Sequence, residues 1–313
     1  GGGGTPLYSM AYDPDLDLLY WATSNPAPDF NGSVREGDNL YTNTILALDP
    51  DTGERAWHFQ TTPHDVFDWS GVNEPILVDE VIDGRPVKAL AQANRNGYLF
   101  VLDRTDGTLL RATPYTKTTW ARIDETGRPR IREELYAQDR RHVLPGMAGG
   151  SNWPPAADSP RTHPLYVPDI VRGTTYEPGE AVYRRGKMHL GGFAWMDPEP
   201  GEGSIQPIDV RTGETRWSFD TKGPNWGGLL APGGGLVFGG AFDGFLRAFD
   251  ESTGEVLWKF QMKTAAYAPP TSFTIGGRQM IGIASGFGRI GNTTSGHPFQ
   301  PQRGIYYLFG LPE

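Results

Sequence analysis

Apolar residues along the chain gather in short runs separated by glycine, proline, asparagine and aspartate. The runs "LDLLYWAT" (16–23), "VKALAQA" (87–93), "YLFVLD" (98–103), "QMIGIASG" (279–286) and "IYYLFGL" (305–311) have the length and the β-branched or aromatic content of strands. The stretch "GLVFGGAFDGFLRAFD" (235–250) predicts a hairpin with Asp243-Gly244 as its two-residue turn. No long run carries the 3.6-residue period of an amphipathic helix. The segment 114–146 is charged and irregular and is expected as a surface excursion from an otherwise single all-β domain spanning 1–313.

The runs belong to a repeat. "LALDPDTGERAWHF" (46–59), "IDVRTGETRWSF" (208–219) and "AFDESTGEVLWKF" (248–260) share Asp, then Gly four residues on, then Trp eight residues on. The trios are Asp49/Gly53/Trp57, Asp209/Gly213/Trp217 and Asp250/Gly254/Trp258. "VLDRTDGTLL" (101–110) is a weaker copy, with Asp103 and Gly107 but Arg111 at the Trp position. An Asp at a strand end can accept hydrogen bonds from turn amides. A Gly supplies positive φ, and the following strand sends a Trp between sheets. Independent hairpins in a sandwich would also use these residues. Shared offsets favour a radial repeat of about five blades at roughly 40–50 residues each.

Composition narrows the function classes. Glycine (42) and proline (27) together exceed a fifth of the 313 residues without a collagen period, as many turns between short strands require. The net charge is −9, which argues against a nucleic-acid partner. No apolar run approaches the roughly 20 residues of a membrane span. There is no cysteine, so a disulfide, a thiolate metal site, a C-x-x-C-H haem attachment and a Cys nucleophile are excluded within this chain. The opening "GGGGTPLYSMAYDP" has neither a basic start nor an apolar core, and we expect a piece of a longer protein.

The densest candidate chemistry is "TTPHDVFDWSGVNEP" (61–75). Read from the residues alone, His64 and Asp65 could form an acid/base pair. Asp68, between Phe67 and Trp69, is either a turn-capping aspartate or a carboxylate whose proton affinity is tuned by desolvation.

The segments between the repeats resemble the pyrroloquinoline quinone (PQQ)-dependent alcohol dehydrogenases. The resemblance is carried by "YDPDLDLLYWATSNPAP" (12–28), "GDNLYTNTILALDPDTGE" (37–54), "TPHDVFDWSGVNEP" (62–75), "NRNGYLFVLDRTDG" (94–107), "GGSNWPP" (149–155), "PNWGGLLAPGGGLVFGGAFDGFLRAFDESTGE" (224–255) and "IASGFG" (283–288). It implies a quinoprotein β-propeller, eight-bladed when complete, of which this chain covers the C-terminal portion. The N-terminal remainder would bring a further calcium-ligating Glu and more of the cofactor pocket.

The resemblance also implies roles. Asp68 would take the alcohol proton while hydride passes to the quinone C5, and Asp68 and Asn25 would ligate the metal. Arg95 would bond the quinone oxygens, and Asn152, Trp153, Asn225 and Trp226 would line the cofactor. His64 and Asp65 become structural members of their strand. The lanthanide-using branch carries an extra Asp two residues after the base; here that position is Ser70, so Ca²⁺ is expected over a lanthanide. Some members stack a Trp on PQQ near the positions of Leu7 and Tyr8, which departs from the pattern. The implied setting is the periplasm, with a small alcohol as substrate and a cytochrome c as electron acceptor. Alternatives are a non-catalytic propeller that binds or scaffolds, and a sugar or polyol dehydrogenase using the same cofactor, with 114–146 and 287–304 as candidate rims.

Overall fold

The computed structural model describes residues 2–137, 139–162, 164–286 and 304–311, and the side chains of Tyr8 and Ser9 are outside that description. Most of the candidate rim 287–304, and the end of "IASGFG", therefore lie outside the described residues. The described chain is almost wholly β, with one short 3₁₀ turn at Glu133–Leu135.

Two compact units emerge, Gly1–Trp153 with Val171–Asp197, and Pro154–Ile170 with Pro198–Glu313. The first holds two antiparallel four-stranded meanders. One consists of Pro6–Asp13, Leu18–Thr23, Thr44–Leu48 and Arg55–Gln60. The other consists of Ile76–Ile82, Arg85–Ala93, Tyr98–Asp103 and Leu109–Pro114. The second unit holds two further four-stranded sheets, built on Glu202–Asp209 and on Phe245–Asp250, and a three-stranded one from Thr271–Ile275, Arg278–Ser285 and Ile305–Gly310.

The repeated turn has one geometry in all four copies. The Gly N–H donates to the Asp carbonyl at Gly53–Asp49 (2.9 Å), Gly107–Asp103 (2.8 Å), Gly213–Asp209 (2.7 Å) and Gly254–Asp250 (3.0 Å). Every one of these glycines has φ between +73° and +79°, which a Cβ disfavours. The Asp carboxylate accepts from turn amides, as from Thr52 (2.8 Å) to Asp49 and from Thr253 (2.9 Å) to Asp250.

The Gly has a second task that the spacing alone does not reveal. Trp57 lies over Gly107 of the next copy, and a Cβ there would meet its ring at 2.6 Å. Its indole N–H donates to the Arg104 carbonyl (3.1 Å), which also accepts from the Tyr20 hydroxyl (2.8 Å). Trp217 repeats the arrangement over Gly254, donating to the Glu251 carbonyl (3.1 Å), with the Tyr166 hydroxyl on the same oxygen (2.9 Å). Each Trp thus staples one blade to the turn of the next. Trp258, in the last copy quoted above, packs on Phe309 and is 39% exposed.

Two expectations need correction. The 235–250 hairpin turns through Ala241–Gly244, closed by Gly244 N–H to Ala241 O (3.1 Å), so its loop is longer than two residues. The reason is that Gly240 pairs with Leu246 and leaves the whole AFDGF stretch to the turn. The stretch 114–146 is more than an irregular excursion. It contains the hairpin Ala121–Ile123/Pro129–Ile131 and the strand Arg141–Val143, and it sends Trp120, Leu135 and Val143 into the core. Arg141–Val143 pairs with Thr174–Pro178, which pairs with Gly192–Met196 in a three-stranded sheet of the first unit.

Candidate active site

Residues 61–75 form a loop between the strands Arg55–Gln60 and Ile76–Ile82, not the strand expected from their aromatics. The cause is local. Asp65 is 1% exposed, and its carboxylate accepts from the backbone N–H of Phe67 (2.8 Å), the backbone N–H of Trp69 (2.9 Å) and the Asn43 amide (3.0 Å). Asp68 takes a left-handed conformation, φ +59°, which costs a non-glycine residue about 1 kcal/mol. The turn sends Phe67 and Trp69 together into the core, with ring centroids 4.6 Å apart. Trp69 packs at a tilt against Trp120 (4.8 Å) and donates to Gly146 O (2.9 Å); the Tyr176 hydroxyl donates to Phe67 O (3.0 Å). The two rings anchor the turn, and Asp68 between them is less buried than either.

Asp68 is half-buried. Burial pushes its carboxyl up to about 6, the Arg95 cation pulls it down and the Asp65 charge pushes it up again. Arg95 sits in the Asn94–Gly97 turn, its amide held by the Asn73 side chain (3.2 Å) and one guanidinium N–H on Met147 O. Its Nε is buried without a hydrogen-bond partner. An orphaned donor on a cation whose charge acts on Asp68 is what an anionic or quinone oxygen would satisfy.

Asn25 follows the strand Leu18–Thr23, and its side-chain oxygen accepts from the Ser70 hydroxyl at 2.7 Å. Ser70 lies two residues beyond Asp68, so the hydrogen bond ties the Asn25 segment to the Asp68 turn. An amide oxygen has a second lone pair that stays available beside the Ser70 bond. Among the described residues, no group of three or more His, Cys, Asp or Glu is placed to hold a metal.

Asn152 is 5% exposed and its amide is spent locally, donating to Ala148 O (2.6 Å) and accepting from Trp153 N–H (2.9 Å). Its carbonyl accepts from Asn73 (2.7 Å), the same residue that holds Arg95. Trp153 is 46% exposed rather than packed in a core. Asn225 and Trp226 belong to the second unit. Asn225 is buried, with its side chain accepting from Gly227 N–H (3.0 Å) and its backbone N–H on Asp169 O (3.3 Å). Trp226 is partly buried.

His64 is not an acid/base partner of Asp65. Its ring contacts Gly37 O through Nδ1 (2.6 Å) and meets Tyr136 edge-on (5.3 Å), while the Asp65 carboxylate is occupied by three N–H donors. The sequence alone did not mark a third carboxyl. Asp29 is partly buried and pushed up to about 7, by burial first, then by the charges of Asp68 and Asp65, with Arg35 opposing. The signal was present: Asp29 closes the "NPAPD" stretch four residues after Asn25.

A family model described as the PQQ-type glucose/ethanol/alcohol dehydrogenase β-propeller domain matches residues 8–117 and 188–281. The quinoprotein alcohol dehydrogenase PedH of Pseudomonas putida is 38% identical over all of this chain and 55% of its own length. The lanthanide-dependent methanol dehydrogenase of Methylorubrum extorquens is 34% identical over 92% of this chain and 51% of its own. A solved europium-containing methanol dehydrogenase superposes with a TM-score of 0.91 at 32% identity, covering 99% of this chain and 60% of that one. The chain spans about half the length of the curated relatives it matches. By its repeat, its sheets and these matches, the chain belongs to the β-propeller family of PQQ-dependent, or quinoprotein, alcohol dehydrogenases.

Proposed function

We propose that this chain supplies the catalytic base and part of the metal and quinone site of an enzyme that oxidises an alcohol to an aldehyde with PQQ. The observation that carries the reading is one constellation: Asp68 on a clamped turn, under the charge of Arg95 and tied through Ser70 to Asn25. PQQ supplies the two-electron acceptor when bound. The Asp68 carboxylate accepts the proton of the alcohol hydroxyl. Arg95 would hold the quinone oxygens with the N–H that now lacks a partner. Asn25 and Asp68 would ligate the metal, and Trp153 would border the cofactor, with Asn152 acting through its hold on Trp153 and Asn73.

We favour Ca²⁺ as the metal, because Ser70 brings a hydroxyl where a trivalent ion would gain from a further carboxylate. A periplasmic setting and a cytochrome c acceptor belong to the same proposal. No helix among the described residues is long and apolar enough to cross a membrane. A sugar or polyol substrate is the second reading. Asp29 favours it, since a carboxyl electrostatically close to Asp68 can accept hydroxyl donors.

The test is PQQ titration of the full-length protein with Ca²⁺, followed by absorbance, then dye reduction with primary alcohols and with polyols. Tight PQQ binding with alcohol-dependent turnover is expected. A full-length protein that binds no PQQ would leave the propeller as a binding platform.

A further inference from the structure

We propose that Asp65 is the positioning residue that aims Asp68 at the alcohol. The proposal rests on the reading of Asp68 as the base and gives the neighbouring carboxylate a separate role. Asp65 grips residue 68 from both sides in sequence: one oxygen accepts from Phe67 N–H (2.8 Å), the other from Trp69 N–H (2.9 Å). Asn43 donates to that second oxygen (3.0 Å), and Arg35 donates to the Asp65 backbone carbonyl (2.5 Å). Asp65 is thus itself held by two other segments, its carboxylate by Asn43 and its backbone by Arg35.

The residue held in this way has φ +59°, a conformation that an aspartate abandons unless its surroundings impose it. Without the clamp, residue 68 relaxes toward negative φ, which swings its carboxyl away from the direction it now takes. Turn formation alone would not need so much. Two amides could be satisfied by water or by one neutral side chain, whereas a fully buried carboxylate costs desolvation. The placement makes sense when the direction of the Asp68 side chain matters, because small misplacements of a reacting group carry large rate penalties.

The experiment uses full-length protein loaded with PQQ and Ca²⁺ and expresses kcat per bound PQQ. Asp65→Asn keeps the size of the side chain but turns one acceptor into an NH₂ that opposes a backbone N–H. The expected result is a fall in kcat of about tenfold or more, KM within about twofold, and an enlarged isotope effect with alcohol deuterated at C1. Asn43→Gly, which suits the positive φ of Asn43 (+47°), removes one donor to the clamp and should lower kcat about threefold, in the same direction. Full kcat per bound PQQ with an unchanged isotope effect, accompanied only by a lower Tm, overturns the proposal. If Asp65→Asn does not fold, an unchanged kcat in Asn43→Gly overturns it instead. Failure of the base reading is distinguishable: it shows as an active Asp68→Asn enzyme, whatever Asp65→Asn does.

Discussion

The Ser70 hydroxyl donates to the Asn25 side-chain oxygen across 2.7 Å. This bond fixes which way the Asn25 amide faces, and a ligand whose orientation is fixed loses less entropy on binding a metal. Ser70→Ala should therefore weaken Ca²⁺ binding to the full-length protein by on the order of tenfold. Ser70→Asp, which adds a carboxylate at the same place, should move the preference toward a lanthanide. Metal titrations of dye-linked activity with Ca²⁺ and La³⁺ check both.

The Trp staple predicts a stability effect far from the chemistry. Gly107 has φ +79° and sits under Trp57, so Gly107→Ala meets both backbone strain and a ring 2.6 Å away. A loss of about 2–3 kcal/mol is expected. The same change at Gly53, whose Cβ would meet nothing within 4 Å, carries the φ strain alone and should cost about 1 kcal/mol. Denaturant unfolding of the two variants separates the contributions.

Asp29 makes stability depend on pH. Its folded-state carboxyl lies at about 7 against an ordinary 3.8, so between these values the folded state binds more protons than the unfolded one. Stability falls as pH rises from about 4 to 7. Three pKa units would amount to about 4 kcal/mol; partial exposure screens this, and about 1–2 kcal/mol is expected. In chelator-treated protein, Asp29→Asn should be more stable than the parent at pH 8 and flatter across this window. Urea midpoints at pH 5 and pH 8 measure it.

Arg95 holds Asp68 down, against burial and Asp65, which push it up. Removing the cation with Arg95→Met raises the pKa of a base that must be deprotonated to act. The acid limb of kcat/KM should move to higher pH, and PQQ affinity should fall. A pH–rate profile of the loaded variant tests the sign.

Much of the fold could be read from the residues because its rules are local. Asp49, Gly53 and Trp57 lie within one hairpin, and their offsets encode the turn. What the Trp covers could not be read, since Gly107 serves Trp57 from the next blade, and only packing brings them together. In the site, Asp68 and Arg95 were named through resemblance, while the physics of Asp65 stayed hidden. A carboxylate in "HDVFDW" looks equally suited to a strand, a dyad or a clamp until its three N–H donors are seen. Asp29 escaped because its significance lies in the charges of Asp68 and Asp65, some forty residues away in sequence.

The most direct measurement is turnover of Asp68→Asn in the full-length protein, loaded with PQQ and Ca²⁺ and assayed by dye reduction with a primary alcohol. The substitution keeps the shape of the side chain and removes the basic oxygen. Turnover should fall by at least about a hundredfold while Tm and PQQ content stay near those of the parent. A loaded Asp68→Asn enzyme that retains full activity would contradict the assignment of Asp68 as the base.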